Sequence, residues 1–373
     1  MKYFLVAGEP SGDQHGSMLM QSILKIDPRA EFRFLGGNLM EGVGGTAVIH
    51  IRNMAFMGFT QLIIKVFKIL ENFQICKREI LAFDPDVVIP IDYGGFNLRL
   101  IRWVKAKNIR TIYYITPKVW AWMPSRAYKL ARYTNRSLCI LPFETEFLAR
   151  YGVKCDYIGN PVKDYVLAGK NSEQPVATSI ADLTGKPVIA LLPGSRRQEI
   201  SKILPVMIKI INQFKEYQFV IAGHINLQES FYRKISGNAE IKIVYGKTLD
   251  LLKIANAALV TSGTATLEAA LVGTPQVVCY KALPVSYLIA RVLIRVKHIS
   301  LVNLILDRSC IEELIQTRFN AGNLATSLRK ILSDALYRKQ IADGYRELNE
   351  KLGDTEASVT AAAIVCRMAM EPR

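Results

Sequence analysis

Residues 260–271, Val-Thr-Ser-Gly-Thr-Ala-Thr-Leu-Glu-Ala-Ala-Leu, combine residue types whose spacing suits anion binding. An apolar run at 257–260 ends in small hydroxyl and glycine residues, which open into apolar residues at helical spacing. That pattern predicts strand, tight turn, helix. Ser262, Gly263 and Thr264 would offer backbone N–H groups and hydroxyls at the positive end of a helix, where phosphate oxygens bind. Glu268 falls about one turn further along, where its carboxylate can accept hydrogen bonds from the two hydroxyls of a ribose. The stretch reads as a site for a nucleotide diphosphate-sugar, although a well-capped helix after a buried strand explains the same residues.

A second stretch, Leu-Leu-Pro-Gly-Ser-Arg-Arg-Gln-Glu-Ile at 191–200, also follows a strand pattern. The guanidinium of Arg196 can fork onto a diphosphate beside N–H groups from Gly194 and Ser195. The pattern G-x-x-x-x-G-K-[ST] is absent, which argues against an NTPase. At 91–97, Ile-Asp-Tyr-Gly-Gly-Phe-Asn puts Asp92 at the end of an apolar run. A carboxylate there can take a proton from an attacking alcohol, and Asp is equally common as a helix cap. Gly8-Glu9-Pro10-Ser11-Gly12-Asp13 is a polar turn after the first strand, before a helix expected near His15, with Ser11 or Asp13 as its cap. Trp120 and Trp122 follow another strand and fit either core packing or a wall for a sugar or acyl chain.

These turns need a scaffold, and the remaining pattern supplies one. Short apolar runs at 3–7, 32–35, 87–91, 111–115, 138–141 and 155–158 alternate with helical patterns such as 98–107 and 144–151. The alternation restarts at 188–192, 218–222, 241–245, 257–260 and 276–280, and helix dominates 321–370. Strands separated by helices predict parallel β-α-β units with ligands at the strand C-terminal ends. The predicted class is α/β, with two Rossmann-like domains facing a central cleft. Residues 1–167 form one and 168–349 the other, joined through the polar stretch 168–186.

Bulk composition narrows the partners. The 373 residues carry 48 Lys+Arg against 32 Asp+Glu, a net charge of +16 that favours nucleic acid, an anionic membrane or a phosphorylated substrate. The six cysteines form no C-x-x-C pair and there are only four histidines, so neither a zinc site nor a disulfide framework is indicated and a reducing cytoplasm fits. Residues 1–8 read as a buried strand, because Glu9 and Asp13 interrupt any signal-peptide core. No apolar stretch is long enough to span a bilayer. Two segments look suited to a lipid interface: 62–70 (after 54–59), with Lys65 and Lys68, and 285–297, with Arg291 and Arg295. Buried packing between domains is the competing reading of both.

Taken in order, the motifs resemble the lipid-A-disaccharide synthase family, glycosyltransferases of the GT-B fold. The resemblance runs through VAGEPSGD (6–13), LGGNLM (35–40), FMGF (56–59), PDVVIPIDYGGFN (85–97) and YYITPKVWAW (113–122). It continues with LPFE (141–144), LLPGSRRQEI (191–200), TSGTATLE (261–268) and SLVNLI (300–305).

The resemblance implies UDP-2,3-diacylglucosamine as donor and 2,3-diacylglucosamine 1-phosphate (lipid X) as acceptor. The product would be a β-1,6-linked disaccharide 1-phosphate, formed with inversion and release of UDP. Asp92 would be the base. Arg196, Gly194, Ser195 and the Ser262–Thr264 turn would hold the departing diphosphate without a metal or other cofactor. Glu268 would bind the ribose and Asn303 would help to close the donor site, while Glu9, Ser11 and Asn38 would line the acceptor side. Two departures stand out. Gly94 and Gly95 occupy positions where relatives often carry proline and a second acid, and Asn160 stands where many have histidine.

The implied location is the cytoplasmic face of the inner membrane, on an anionic surface. The family also forms dimers that exchange C-terminal helices, so a homodimer is among the partners the resemblance admits, and residues from about 350 to 373 would pack back on the first domain. A UDP-GlcNAc 2-epimerase of the same fold would leave the lysine-studded apolar segments without a role. A nucleic-acid module would need clustered cations with stacking aromatics. A non-catalytic membrane scaffold would make Asp92 dispensable.

Overall fold

A computed structural model describes residues 1–53, 62–170, 185–237, 241–283, 287 and 296–371, with backbone alone at 53, 62–66 and 170. The expected lipid-facing stretch 54–59, most of 285–297 and the central part of the polar connection, 171–184, lie outside the described residues. The chain divides into two compact units, Met1–Pro161 with Asp354–Arg373, and Val162–Gly353. The border expected at 167/168 falls inside a helix, Pro161–Lys170. That helix is tied to the second unit by Lys253, which donates to the Gly169 carbonyl at 2.8 Å.

The first unit's strands are β1 (Lys2–Val6), β2 (Glu31–Gly36), β3 (Thr46–His50), β4 (Val87–Pro90), β5 (Arg110–Tyr114), β6 (Arg136–Cys139) and β7 (Cys155–Tyr157). They form one parallel sheet in the order β3-β2-β1-β4-β5-β6-β7. Its central strands are near-continuous apolar runs because helices cover both faces. In β1 the two-residue period sends Tyr3 and Leu5 to one buried cluster and Phe4 and Val6 to the other. Burial of each such side chain contributes roughly 1.5–3 kcal/mol.

The helices used below are α1 (Pro10–Ile26), α2 (Asn38–Val43), α3 (Leu62–Phe83), α4 (Gly94–Ala106), α5 (Val119–Trp122), α6 (Ala127–Tyr133) and α7 (Glu144–Ala149). A C-terminal helix, Ala357–Met370, returns to this unit and buries Ala357, Ala361, Ala362 and Val365 in the same cluster as Tyr3 and Leu19.

The second unit has α8 (Pro161–Lys170), β8 (Val188–Leu192), α9 (Arg197–Ile208), β9 (Gln218–Gly223), β10 (Lys242–Tyr245), β11 (Ala255–Thr261), α10 (Thr264–Val272), β12 (Gln276–Tyr280), α11 (Leu301–Leu306) and β13 (Glu312–Ile315) among its elements. Its parallel sheet runs β10-β9-β8-β11-β12-β13.

The apolar runs match strands to within a few residues, and two strands were not among the runs picked out. β3 and β13 are both sheet edges. An edge strand need not be apolar on every residue, and β13 opens with Glu312 and Glu313. The strand order of each sheet reverses beside its first strand, between β1 and β4 and between β8 and β11. Crevices at the C-terminal ends of strands form at such reversals.

Candidate active site

In the first unit the loops after β1, β4 and β5 converge at the reversal. The loop after β1 is shorter than expected. α1 begins at Pro10 with Glu9 as N-cap, five residues before His15, because proline fits the first helical position. Neither Ser11 nor Asp13 caps α1. Asp13 is 4 % exposed and accepts N–H bonds from Gly37 (2.7 Å), Leu39 (3.1 Å) and Met40 (3.1 Å), so it caps α2 instead. A Cβ on Gly37 would sit 2.6 Å from Asp13 Oδ2, so glycine is required there.

Glu9, Ser11 and Asn38 are exposed. Asn38 Oδ1 lies 2.9 Å from His50 Nε2, and His50 Nδ1 accepts the Arg52 N–H. That second bond sets the tautomer: Nε2–H donates to the Asn38 oxygen. Sequence reading missed His50 because β3 was not visible.

The Asp92 loop is held by strained backbone. Asp92, Tyr93 and Ile115 adopt φ of 42°, 47° and 60°. Left-handed geometry costs a non-glycine residue roughly 1–2 kcal/mol. Hydrogen bonds offset it at about 1 kcal/mol each. Asp92 N–H donates to the carbonyls of Tyr114 and Ile115, both at 3.2 Å. The Asp92 carbonyl accepts from Tyr113 Oη at 2.7 Å and Asn97 Nδ2 at 2.9 Å.

Close approaches lock the neighbouring loops in place. A Cβ on Gly8 would be 2.3 Å from the Tyr93 ring, and one on Gly94 would be 2.8 Å from Pro117. Gly94 is thus what admits the Pro117 turn, while a Cβ on Gly95 would meet nothing within 4 Å.

The Asp92 carboxyl is half-buried. Burial raises its pKa; the Lys118 cation opposes the rise and the Glu9 carboxylate adds to it. Lys118 is therefore a charge the sequence reading passed over, since its influence on Asp92 depends on the fold.

The tryptophans divide their roles. Trp120 is 8 % exposed and donates to Glu144 Oε1 at 2.9 Å, whereas Trp122 is 42 % exposed beside Arg126. Glu144 is buried, its pKa pushed up to about 7 by burial, and it accepts the Ile140 and Leu141 N–H groups. It fastens the loops after β5 and β6. Asn160, the histidine replacement, is buried and donates to the Ile140 carbonyl at 2.9 Å, a structural bond.

In the second unit the loops after β8 and β11 sit at the other reversal. Gly194 has φ of 116°, and a Cβ there would lie 2.9 Å from Glu199 Oε2. Ser195 and Arg196 are exposed ahead of α9, with Arg196 Nη1 3.6 Å from Glu199 Oε1. Arg197 instead lies over the Phe231 ring, 4.9 Å from its centroid.

Two expectations change here. Ser262 N–H donates to the Cys279 carbonyl (3.3 Å) and its Oγ to the Ile299 carbonyl (2.8 Å), so its donors serve the fold. Gly263 and Thr264 are exposed at the start of α10. Asn303 is fully buried: Nδ2 donates to Ile311 O and Glu313 Oε1, and Oδ1 accepts from Cys310 N and Ile311 N. All four hydrogen-bonding positions of its amide are filled. Its amide is thus committed to the fold. Glu268 is half-buried on α10 with its pKa raised by burial, and it raises that of Tyr165 on α8, an aromatic neighbour the sequence did not flag.

The family model for Lipid-A-disaccharide synthetase matches residues 3–365. The chain belongs to this family. It is a glycosyltransferase of lipid A disaccharide synthesis. Lipid-A-disaccharide synthase of Syntrophus aciditrophicus is 36 % identical over 369 residues, covering 96 % of each chain. The Geobacter sulfurreducens enzyme is 32 % identical, covering 98 % of this chain and 97 % of its own.

Among solved structures, the Methanocaldococcus jannaschii UDP-GlcNAc 2-epimerase in complex with UDP-GlcNAc and UDP superposes with a TM-score of 0.67 at 14 % identity, over 100 % of both chains. The Neisseria meningitidis UDP-GlcNAc 2-epimerase gives 0.64 at 13 %, over 98 % of this chain and 99 % of its own. At such identity the likeness speaks to fold alone, and the fold is GT-B. Within this glycosyltransferase family, the two reversals carry all the candidate site residues except Asn38 and Asn303, which lie on neighbouring elements. Among the described residues no helix is long and apolar enough to cross a membrane.

Proposed function

We propose that the chain joins UDP-2,3-diacylglucosamine to 2,3-diacylglucosamine 1-phosphate with inversion, giving the β-1,6-linked disaccharide 1-phosphate and UDP. Asp92 takes the proton from the acceptor 6-hydroxyl as that oxygen bonds to the donor's anomeric carbon. The bond from that carbon to the diphosphate breaks with its electron pair leaving on UDP. An ordinary carboxylate is far too weak to deprotonate an alcohol outright, so proton transfer accompanies C–O bond formation. Burial makes Asp92 a stronger base than a solvated carboxylate, and this half-buried acid at a rigid elbow is the observation that carries the proposal.

Arg196, with the N–H groups of Gly194, Ser195, Gly263 and Thr264, stabilises the charge growing on the diphosphate. Glu268 accepts from the ribose hydroxyls. Glu9, Ser11 and the Asn38 amide bind the acceptor sugar. Both substrates carry acyl chains, so the enzyme works as a peripheral protein on the anionic cytoplasmic face of the inner membrane.

The test is transfer of radiolabelled acylated glucosamine from its UDP derivative to the acceptor by wild type, Asp92→Ala and Arg196→Ala. We expect kcat to fall roughly a hundredfold to ten-thousandfold for the first and roughly a hundredfold to a thousandfold for the second. Full turnover by both would remove the assigned roles.

A further inference from the structure

The first unit has a feature that the transfer reaction does not use. α3, α4 and α6 enclose a groove of about 440 Å³, within the range of small-ligand sites. Four cations line it: Lys77, Arg99, Arg102 and Lys129. No carboxylate is among its lining residues. The floor is apolar and aromatic, built from Phe73, Leu98 and Trp103. The Lys77 ammonium lies 5.1 Å from the Phe73 ring centroid and 5.5 Å from that of Trp103, so a cation already sits over the floor.

A ring of cations around an apolar base suits a ligand with an anionic head and an apolar body. What surrounds the groove selects among such ligands. α3 continues from Phe73 toward Leu70 and Phe67, which are 48 % and 68 % exposed. A nucleic acid or an acidic peptide has no use for that bare apolar line. A lipid monolayer covers it while its phosphates reach the cations.

We infer that the α3–α4–α6 groove binds the headgroup of an anionic phospholipid, its phosphate on Arg99, Arg102, Lys77 and Lys129 and its glycerol end against Trp103. The inference rests on the proposed peripheral membrane attachment and adds a discrete headgroup site to it.

The test compares Arg99→Gln/Arg102→Gln with Lys105→Gln/Lys107→Gln, which removes equal charge from exposed positions outside the groove. Each is cosedimented with phosphatidylcholine vesicles with and without phosphatidylglycerol. The groove pair should lose roughly 30-fold in binding to the phosphatidylglycerol vesicles, from two cations at the anionic-surface value, and the control pair much less. In a Trp122→Phe background, which removes the exposed indole outside the groove, headgroup-spin-labelled phosphatidylglycerol should quench indole fluorescence, and adding Trp103→Phe should abolish that quenching. Turnover on detergent-dispersed substrates should be unchanged in the groove pair.

Equal losses for both pairs would mean diffuse attraction and overturn the site, as would quenching that survives Trp103→Phe. Tighter binding of the groove to RNA than to vesicles would replace the lipid. Wild type failing to bind any vesicle would sink the membrane attachment itself, whereas wild-type binding matched by the groove pair would sink only the groove.

Discussion

The two reversal points carry comparable loops built by opposite means. In the first unit the chain forces non-glycine residues, Asp92, Tyr93 and Ile115, into left-handed backbone and holds them with Tyr113 and Asn97. In the second unit the positive φ falls on Gly194, and the turn after β11 is built from Gly263 and Thr264 at a helix start. Under the proposed roles, the difference follows from what each site presents. Proton transfer needs one side chain at a fixed place, so the residue cannot be glycine and the strain must be carried by neighbours. Diphosphate binding needs bare N–H groups, which glycine turns expose at little conformational cost.

The contrast breaks most sharply at Asp92. Asp92→Asn keeps the shape and tolerates left-handed backbone, so it should fold while losing turnover roughly a thousandfold. It should also be more stable than wild type near neutral pH. The folded-state pKa of Asp92 is raised by burial, so the native protein holds a proton that the unfolded chain has already released. Stability therefore falls as pH rises from the ordinary carboxylate value through the raised one. The advantage of Asn should vanish in acid, below the ordinary value, which thermal melts across pH will check. A less stable Asp92→Asn at neutral pH would mean the elbow needs the charge.

The second unit should respond through binding. Gly194→Ala places a methyl 2.9 Å from Glu199 Oε2 in a backbone region closed to alanine. The donor KM should rise about tenfold (roughly one lost hydrogen bond to a charged group), with a smaller change in kcat. Steady-state kinetics with varied donor decide it, and an unchanged KM would detach this turn from the donor.

How much of this was legible follows from where each property is stored. Strand runs such as 188–192 and the glycines of the turns are local, and they placed the candidate turns at strand C-terminal ends; the reversals show only in the strand order. The fate of Ser262 and Asn303 was not local: their partners Cys279, Ile299 and Glu313 belong to other elements, and only the fold shows their donors taken. Asp13 had the residue type of a cap but caps α2 across 24 residues of sequence, from Asp13 to Gly37. β3 and β13 went unread because their apolar stretches are short: 47–49 in β3, and 314–315 after Glu312 and Glu313 in β13.

Lys118 sharpens the comparison within the first unit. Its cation opposes the burial and the Glu9 carboxylate that raise Asp92. Lys118→Met should therefore move the acid limb of the kcat/KM profile to higher pH, and Lys118→Arg should leave it in place. Activity well above that limb should change only a few-fold, since a charge acting through Asp92 alters its ionisation more than its position. A limb that stays put in Lys118→Met would mean that another group governs it.

The smallest effect belongs to Gly95. Unlike Gly94, whose Cβ would strike Pro117, it faces open space and lacks positive φ. Gly95→Ala in the first turn of α4 should stabilise by up to about 1 kcal/mol through helix propensity. Turnover should stay within about twofold, since surface substitutions away from special features are usually near neutral. Gly94→Ala should cost stability at the same helix end. If Gly95→Ala melts like wild type or higher yet loses activity, the methyl must meet the acceptor. The backbone beside Asp92 would then be a contact surface for substrate, and the first unit would share the bare-backbone recognition that otherwise separates the second.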